Sequence, residues 1–430
     1  MSLSIPRMAS LCLAVMAGLA GCGGSSNNIS TGGGGGGGNP TTVTYTFTGA
    51  APTAVATRIG TGAFTQASLQ SGKLTISVPS GTTNYSVAVL CPPITVGSPP
   101  YSNQEYVLQA STLDGTSFTE NCTNAATPQT GLATLQVNAA AIPGAASVAV
   151  WGSGYPLIQT WSGSTLSFSN QMVAGTYDVF VVVYDSTGQY PLAVRILRSQ
   201  TIPGALNGGN PVVFAAGDET VKQTITYNNL PAGSSPYDPP FVDFYTSGGQ
   251  GLTLESFPMV TPATQYPAMP AGALQSGDYY TFYTSASGGA AGGTVWADMA
   301  TSSGGAQTIT YPSPWTYSGP AAAALPAFNF SYAGFSGMPS VLQIATIQWT
   351  LGNPPANTYS IEVSATENYQ NGATSLTIPD LSTVTGFLSH PPTGTTVQWF
   401  ADIQQGSAFQ TTPPNGTLQS VQNSGTYTEP

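Results

Sequence analysis

Val173-Ala-Gly-Thr-Tyr177 running into Val179-Phe-Val-Val-Val-Tyr184 decides how the rest of the chain is read. A small-residue turn leads into an aromatic-led strand, and the apolar core from Val179 to Val183 is strand-sized, far short of the ~20 residues that cross a bilayer. The pattern recurs. Pro79-Ser-Gly81 precedes Tyr85-Ser-Val-Ala-Val89, Gln275-Ser-Gly277 precedes Tyr279-Tyr-Thr-Phe-Tyr283, and Pro392-Thr-Gly-Thr-Thr-Val397 leads into Gln398-Trp-Phe-Ala-Asp-Ile403.

Each copy is preceded by an alternating strand, at intervals of roughly 90–100 residues: Thr42-Val-Thr-Tyr-Thr-Phe47, Ala133-Thr-Leu-Gln-Val137, Lys222-Gln-Thr-Ile-Thr-Tyr227 and Gln307-Thr-Ile-Thr-Tyr311. Period-two alternation marks a half-buried strand. Second strands follow at 54–59, 147–151 and 241–245. Asp114-Gly115 and Asn371-Gly372 sit between extended runs and predict hairpins. The fold class expected is therefore all-β, with tandem immunoglobulin-like sandwiches. The expected divisions are a signal peptide at 1–21, an anchor cysteine and Gly-rich linker at 22–40, and sandwiches at 41–132, 133–218, 219–318 and 319–430.

Composition supports this reading. Charged residues make up 5% of the 430 and hydrophobic ones 41%, with 51 Gly and 35 Pro. Disorder needs the opposite balance, high net charge with little apolar material. No Lys or Arg follows Lys222, while carboxylates continue to Glu429. Nucleic-acid binding, which needs basic side chains against phosphate, is excluded as a function class.

Arg7 and the apolar run Leu11–Ala20 have the proportions of a secretory signal. Leu19-Ala20-Gly21-Cys22 resembles the lipobox of bacterial lipoproteins. That resemblance implies cleavage before Cys22, lipidation of its thiol with three acyl chains, and a stable membrane anchor. Gly23 stands where an Asp commonly retains such proteins in the inner membrane, so the resemblance implies the outer membrane. The following glycine tract cannot pack a core; as a flexible coil it spans roughly 23 Å. With Cys12 in the signal and Cys22 lipidated, Cys91 and Cys122 remain as one pair. In an oxidising envelope they are expected to form a disulfide.

The Gly-Thr-Tyr strands resemble carboxypeptidase-regulatory-like and other immunoglobulin-like bacterial sandwich domains. The last segment resembles a fibronectin type III module through Ala345-Thr-Ile-Gln-Trp349-Thr, Thr358-Tyr359-Ser-Ile-Glu-Val363, Leu376-Thr-Ile-Pro-Asp-Leu381 and Thr395-Thr-Val-Gln-Trp-Phe400. The resemblance makes Trp349 a core tryptophan. Val397 departs from it, standing where that family usually carries a tyrosine.

Chemistry has few carriers. His390 is the one histidine, so a zinc motif with two histidines is impossible and a Ser-His-Asp triad would have to use it. No metal site and no cofactor are expected. Paired carboxylates are the remaining enzymatic route, as in glycoside hydrolysis, with Asp178 and Asp185, Asp238 and Asp243, or Glu362 and Glu367 as candidates. Aromatic residues in Pro-rich loops are the candidate ligand-binding positions: Trp315 and Tyr317, Tyr237, and Tyr101. Such rings stack on sugars or on partner chains. The leading expectation is a non-catalytic, lipid-anchored envelope protein acting as stalk, adhesive or scaffold, with the membrane, a polysaccharide or another envelope protein as partner. A carbohydrate-binding lipoprotein is the alternative, and a carboxylate-based hydrolase the third.

Overall fold

The computed structural model describes residues 39–93, 102–122, 129–152, 156–188, 190–232, 236–255, 265–287, 293–333, 341–352, 357–406 and 414–430, with backbone alone at 236–241, 255 and 341. The signal segment, Cys22 and Tyr101 lie outside these residues, and Tyr237 is described by its backbone alone. What is described is nearly all β, in keeping with all-β sandwich domains.

Among the described residues the largest sheet has twelve strands. In spatial order they are Gly251–Glu255, Pro236–Tyr245, Tyr279–Ser287, Thr294–Thr301, Gly416–Thr428, Thr396–Gly406, Val341–Leu351, Asn357–Thr366, Ser102–Ser111, Asn84–Leu90, Ala54–Ile59 and Thr65–Gln66. Neighbours run antiparallel except where Asn357–Thr366 pairs with Ser102–Ser111, in parallel, with Glu362 beside Tyr106. The early segment of the chain and its final segment thus share a backbone ladder.

Smaller sheets cover this one. Lys73–Val78, Thr41–Gly49 and Ser117–Cys122 form a three-stranded layer whose Val43, Tyr45, Leu74 and Ile76 pack on Val55, Tyr85 and Val87. Alternation explains it: Lys73–Val78 reads exposed, buried, exposed, buried along its length. The Cys91–Cys122 disulfide ties this layer to the large sheet, with 5.2 Å between Cα atoms. Gln265–Ala268, Val221–Asn228 and Gln307–Thr310 cover another part, and the short pair Ala327–Asn329 and Ser375–Thr377 a third.

Residues 130–213 make their own two-sheet sandwich. One sheet contains Leu157–Thr160, Ser147–Trp151, Gly175–Tyr184 and Pro191–Ile202; the other is built on Leu166–Val173 and Thr130–Asn138. Val179, Val181 and Val183 face the sandwich core, while Phe180, Val182 and Tyr184 enter the core of the large sheet. There Phe180 meets Phe244 edge-on at 6.2 Å. A strand buried on both faces has no polar side to alternate, which is why this run is continuously apolar. At its start the Tyr177 hydroxyl donates to the Val173 carbonyl at 2.7 Å, locking the turn around Gly175.

Two turn expectations need correction. Asp114-Gly115 does not close a hairpin: Ser102–Ser111 stays in the large sheet, and Ser117–Cys122 crosses to the three-stranded layer, parallel to Thr41–Gly49. The Asp114 carboxylate accepts from the Ser111 N–H and from Thr366 and Asn368, which fixes the crossover to the final segment. Asn371-Gly372 adopts the positive φ values its chemistry favours, 47° and 83°. It caps the one-turn helix Glu367–Gln370 instead of joining paired strands, since Ser375–Thr377 pairs with Ala327–Asn329.

Candidate functional site

Ser313-Pro-Trp-Thr-Tyr317 lies in an irregular segment laid over the end of Thr396–Gly406. Trp315 is buried, with 5% of its surface exposed. Its indole stacks on Tyr317 at 4.7 Å and on Phe330 at 5.8 Å. Tyr317 in turn meets Trp399 edge-on at 5.5 Å. Gly319, at φ 93°, and Gly425 close on the Trp399 ring; a Cβ at either would stand 2.6 or 2.7 Å from Cζ2. The segment is held by Asn423, whose side-chain amide donates to the Trp315 carbonyl at 2.7 Å.

Beside this stack is an open cavity of about 430 Å³, lined by Tyr317, Thr316, Ser318, Asn329 and Ser331 among others. Tyr317 is half-buried and accepts a hydrogen bond from the Asn329 N–H at 3.3 Å. Both rings line the cavity, but Trp315 is buried and Tyr317 half-buried, so Tyr317 has the more surface to offer a ligand. A neutral rim of hydroxyl and amide groups around an aromatic wall suits a polar, uncharged ligand.

Asp178 and Asp185, like Glu362 and Glu367, stand in different surroundings. Asp178 accepts from the Ser199 N–H at 2.8 Å and from Arg198. Burial raises its pKa, but the Ser199 N–H, the Thr246 hydroxyl and Arg198 together hold it below the ordinary value. Arg198 also grips Asp278 with both terminal nitrogens, at 3.1 and 2.6 Å. Asp185 accepts from Thr187 in an exposed turn. Glu362 is half-buried in the large sheet, whereas Glu367 opens the one-turn helix and is exposed. Asp243 is half-buried, and the Asp238 side chain lies outside what is described. His390 pairs with Asp380 at 3.1 Å.

A second set of residues escapes a motif search. Along Thr396–Gly406, Trp399, Ala401 and Ile403 face the main core, so Phe400, Asp402 and Gln404 face the other way. Register places Asp402 beside Ile344 and Gln422, and Gln404 beside Leu342 and Ser420. Glu362, Thr346 and Phe400 form the adjoining row, and Asp298 lies opposite Leu418. Burial pushes Asp298 up to about 8, with the Asp402 charge adding to it. Burial also raises Glu362 to about 7, helped by Glu120 and Asp402, and Asp402 to about 6. The sequence signals for this face were carboxylates in mid-strand: Glu362, already a candidate, and the one in Trp-Phe-Ala-Asp-Ile-Gln-Gln.

Among the described residues no three or more His, Cys, Asp or Glu side chains come together to hold a metal ion. No described helix is long and apolar enough to cross a membrane. Comparison with known protein families and with curated proteins finds no match to this chain.

Proposed function

We propose that the chain is a non-catalytic, lipid-anchored protein of the cell envelope, held in the outer membrane through Cys22 and acting as a scaffold or adhesive surface. The observation that supports this best is the twelve-stranded sheet, which weaves strands from residues 54–111 together with strands from 236–428. A body built this way presents a broad, continuously hydrogen-bonded surface. The test is labelling of growing cells with a radioactive fatty acid, followed by membrane fractionation. Label on the protein in the outer-membrane fraction, lost in Cys22→Ser, is the expected result. An unlabelled wild-type protein would sink the anchor, and turnover of a polysaccharide by purified protein would sink the non-catalytic role.

A second reading is favoured by the cavity beside Tyr317, whose aromatic wall and neutral rim match a sugar ring. Tyr317→Ala is expected to abolish retention on an immobilised neutral polysaccharide that the wild type binds. Trp315→Ala is less informative, because it empties part of the core.

A further inference from the structure

The face of the large sheet around Asp402 contains two buried acceptor atoms left without a hydrogen bond. Asp402 is 8% exposed and Gln404 6% exposed, both more than nine-tenths buried. Gln404 Nε2 donates to Asp402 Oδ2 at 2.9 Å. The Ser420 hydroxyl, beside Gln404 in the register, also serves the Asp402 carboxylate, yet Asp402 Oδ1 and Gln404 Oε1 are left buried without a hydrogen bond. Buried polar atoms are paired in the great majority of cases, and an unpaired acceptor beside a carboxylate carries the full cost of losing water. The surroundings deepen the imbalance. Half-buried Glu362 lies two strands and two residues from Asp402, roughly 12 Å between Cα atoms at ordinary sheet spacings. The chain carries no Lys or Arg beyond Lys222, and Arg58, Arg195 and Arg198 are committed to Ser86, Asp218 and Asp278.

Three kinds of donor can fill such a place. A metal ion wants several charged ligands converging, and the described residues offer no such group. A sugar hydroxyl brings no positive charge to set against Asp402 and Glu362. An ammonium group brings three donors, a positive charge and no acceptor. On the same face Leu342, directly across from Gln404, Ile344, across from Asp402, and Leu418 form a small apolar cluster with Ala300. We propose that this face binds a primary alkylammonium group, its nitrogen on Asp402 Oδ1 and Gln404 Oε1 and its alkyl chain along Leu342, Ile344 and Leu418. A free amine and the lysine side chain of another protein share this chemistry.

Isothermal titration of the full-length protein with n-hexylamine hydrochloride, 1-hexanol and Nα-acetyl-lysine amide tests it. Hexylammonium is expected to bind at least 10-fold more tightly than hexanol and to weaken at least 10-fold in Asp402→Asn or Gln404→Leu, with Asp185→Asn unchanged. Binding of the lysine amide as tight as that of hexylamine identifies a protein lysine as the source; binding of hexylamine alone identifies a small amine. The hexylamine and hexanol comparison uses wild-type protein, so it decides the matter even if a variant misfolds. Equal binding of the two, or no binding of hexylammonium, overturns the proposal, as does undiminished affinity in a folded Asp402→Asn protein.

Discussion

The strands of residues 54–111 and the sandwich of residues 130–213 join the later part of the large sheet in opposite ways. The first segment enters by backbone: Ser102–Ser111 is hydrogen-bonded along Asn357–Thr366, and Arg58, Asn84 and Asp114 reinforce the seam through Tyr369, Thr366 and Asn368. The second docks by side chains, through Phe180 against Phe244 and through Arg198 on Asp278. A ladder joins segments into one cooperative sheet, whereas a packed face can open as a unit. The electrostatics differ as well. The first seam holds Glu105, 1% exposed and raised by burial to about 7 despite the Leu388 N–H. The second holds Asp178, kept below its ordinary value by its partners.

The largest effect is expected at the docked face. Arg198→Met strands Asp278, 4% exposed, without its cation, at a cost of about 4 kcal/mol. Calorimetry should then show the 130–213 sandwich melting separately, and Asp278→Asn added to it should restore much of the loss. Next comes pH. Glu105 binds its proton more tightly folded than unfolded, so its contribution is complete below its ordinary value of 4.5 and is lost as pH rises through about 7. That amounts to a fall on the order of 3 kcal/mol, seen as part of a declining denaturant midpoint whose slope Glu105→Gln reduces. Asp178 has the opposite sign: its contribution is present above the ordinary value of 3.8 and disappears as the solution is acidified below it. A single midpoint drop in acid, without one between pH 5 and 7, would erase the contrast.

Smaller tests sharpen the ladder side. Asp114→Ala removes the carboxylate that receives Ser111, Thr366 and Asn368, and should cost about 2 kcal/mol by urea unfolding. Tyr369→Phe removes the hydroxyl that accepts from Arg58 at 2.9 Å, and about 1 kcal/mol is expected. In both variants hydrogen exchange should rise across 102–111 and 357–366 together while the 130–213 sandwich is unaffected.

The strands themselves were legible, because period-two alternation reports which side chains share a face. It does not report which strand lies alongside. The parallel pairing of 102–111 with 357–366 has no local signature, since it depends on two edges some 250 residues apart matching in shape. Asp114-Gly115 shows the limit in small: its residues suit a hairpin turn, yet a carboxylate claimed by Thr366 makes it a crossover. At the candidate site, an aromatic pair in a Pro-rich segment was visible, but the burial of Trp315 was not, because its neighbours Phe330 and Tyr332 arrive from another segment of the chain. Asp402 and Gln404 went unnoticed since isolated polar residues in a strand ordinarily face water, and only the assembled sheet removes it.

The parallel ladder also sets a timetable. A chain emerges from the ribosome N-terminus first. Ser102–Ser111 therefore has its antiparallel neighbour Asn84–Leu90 early, but its other edge stays bare until residues 357–366 have been made. Contacts of such long sequence separation form slowly. For most of its synthesis this protein carries an unclosed strand edge, and whatever escorts the growing chain must shield that edge until the last quarter of it arrives.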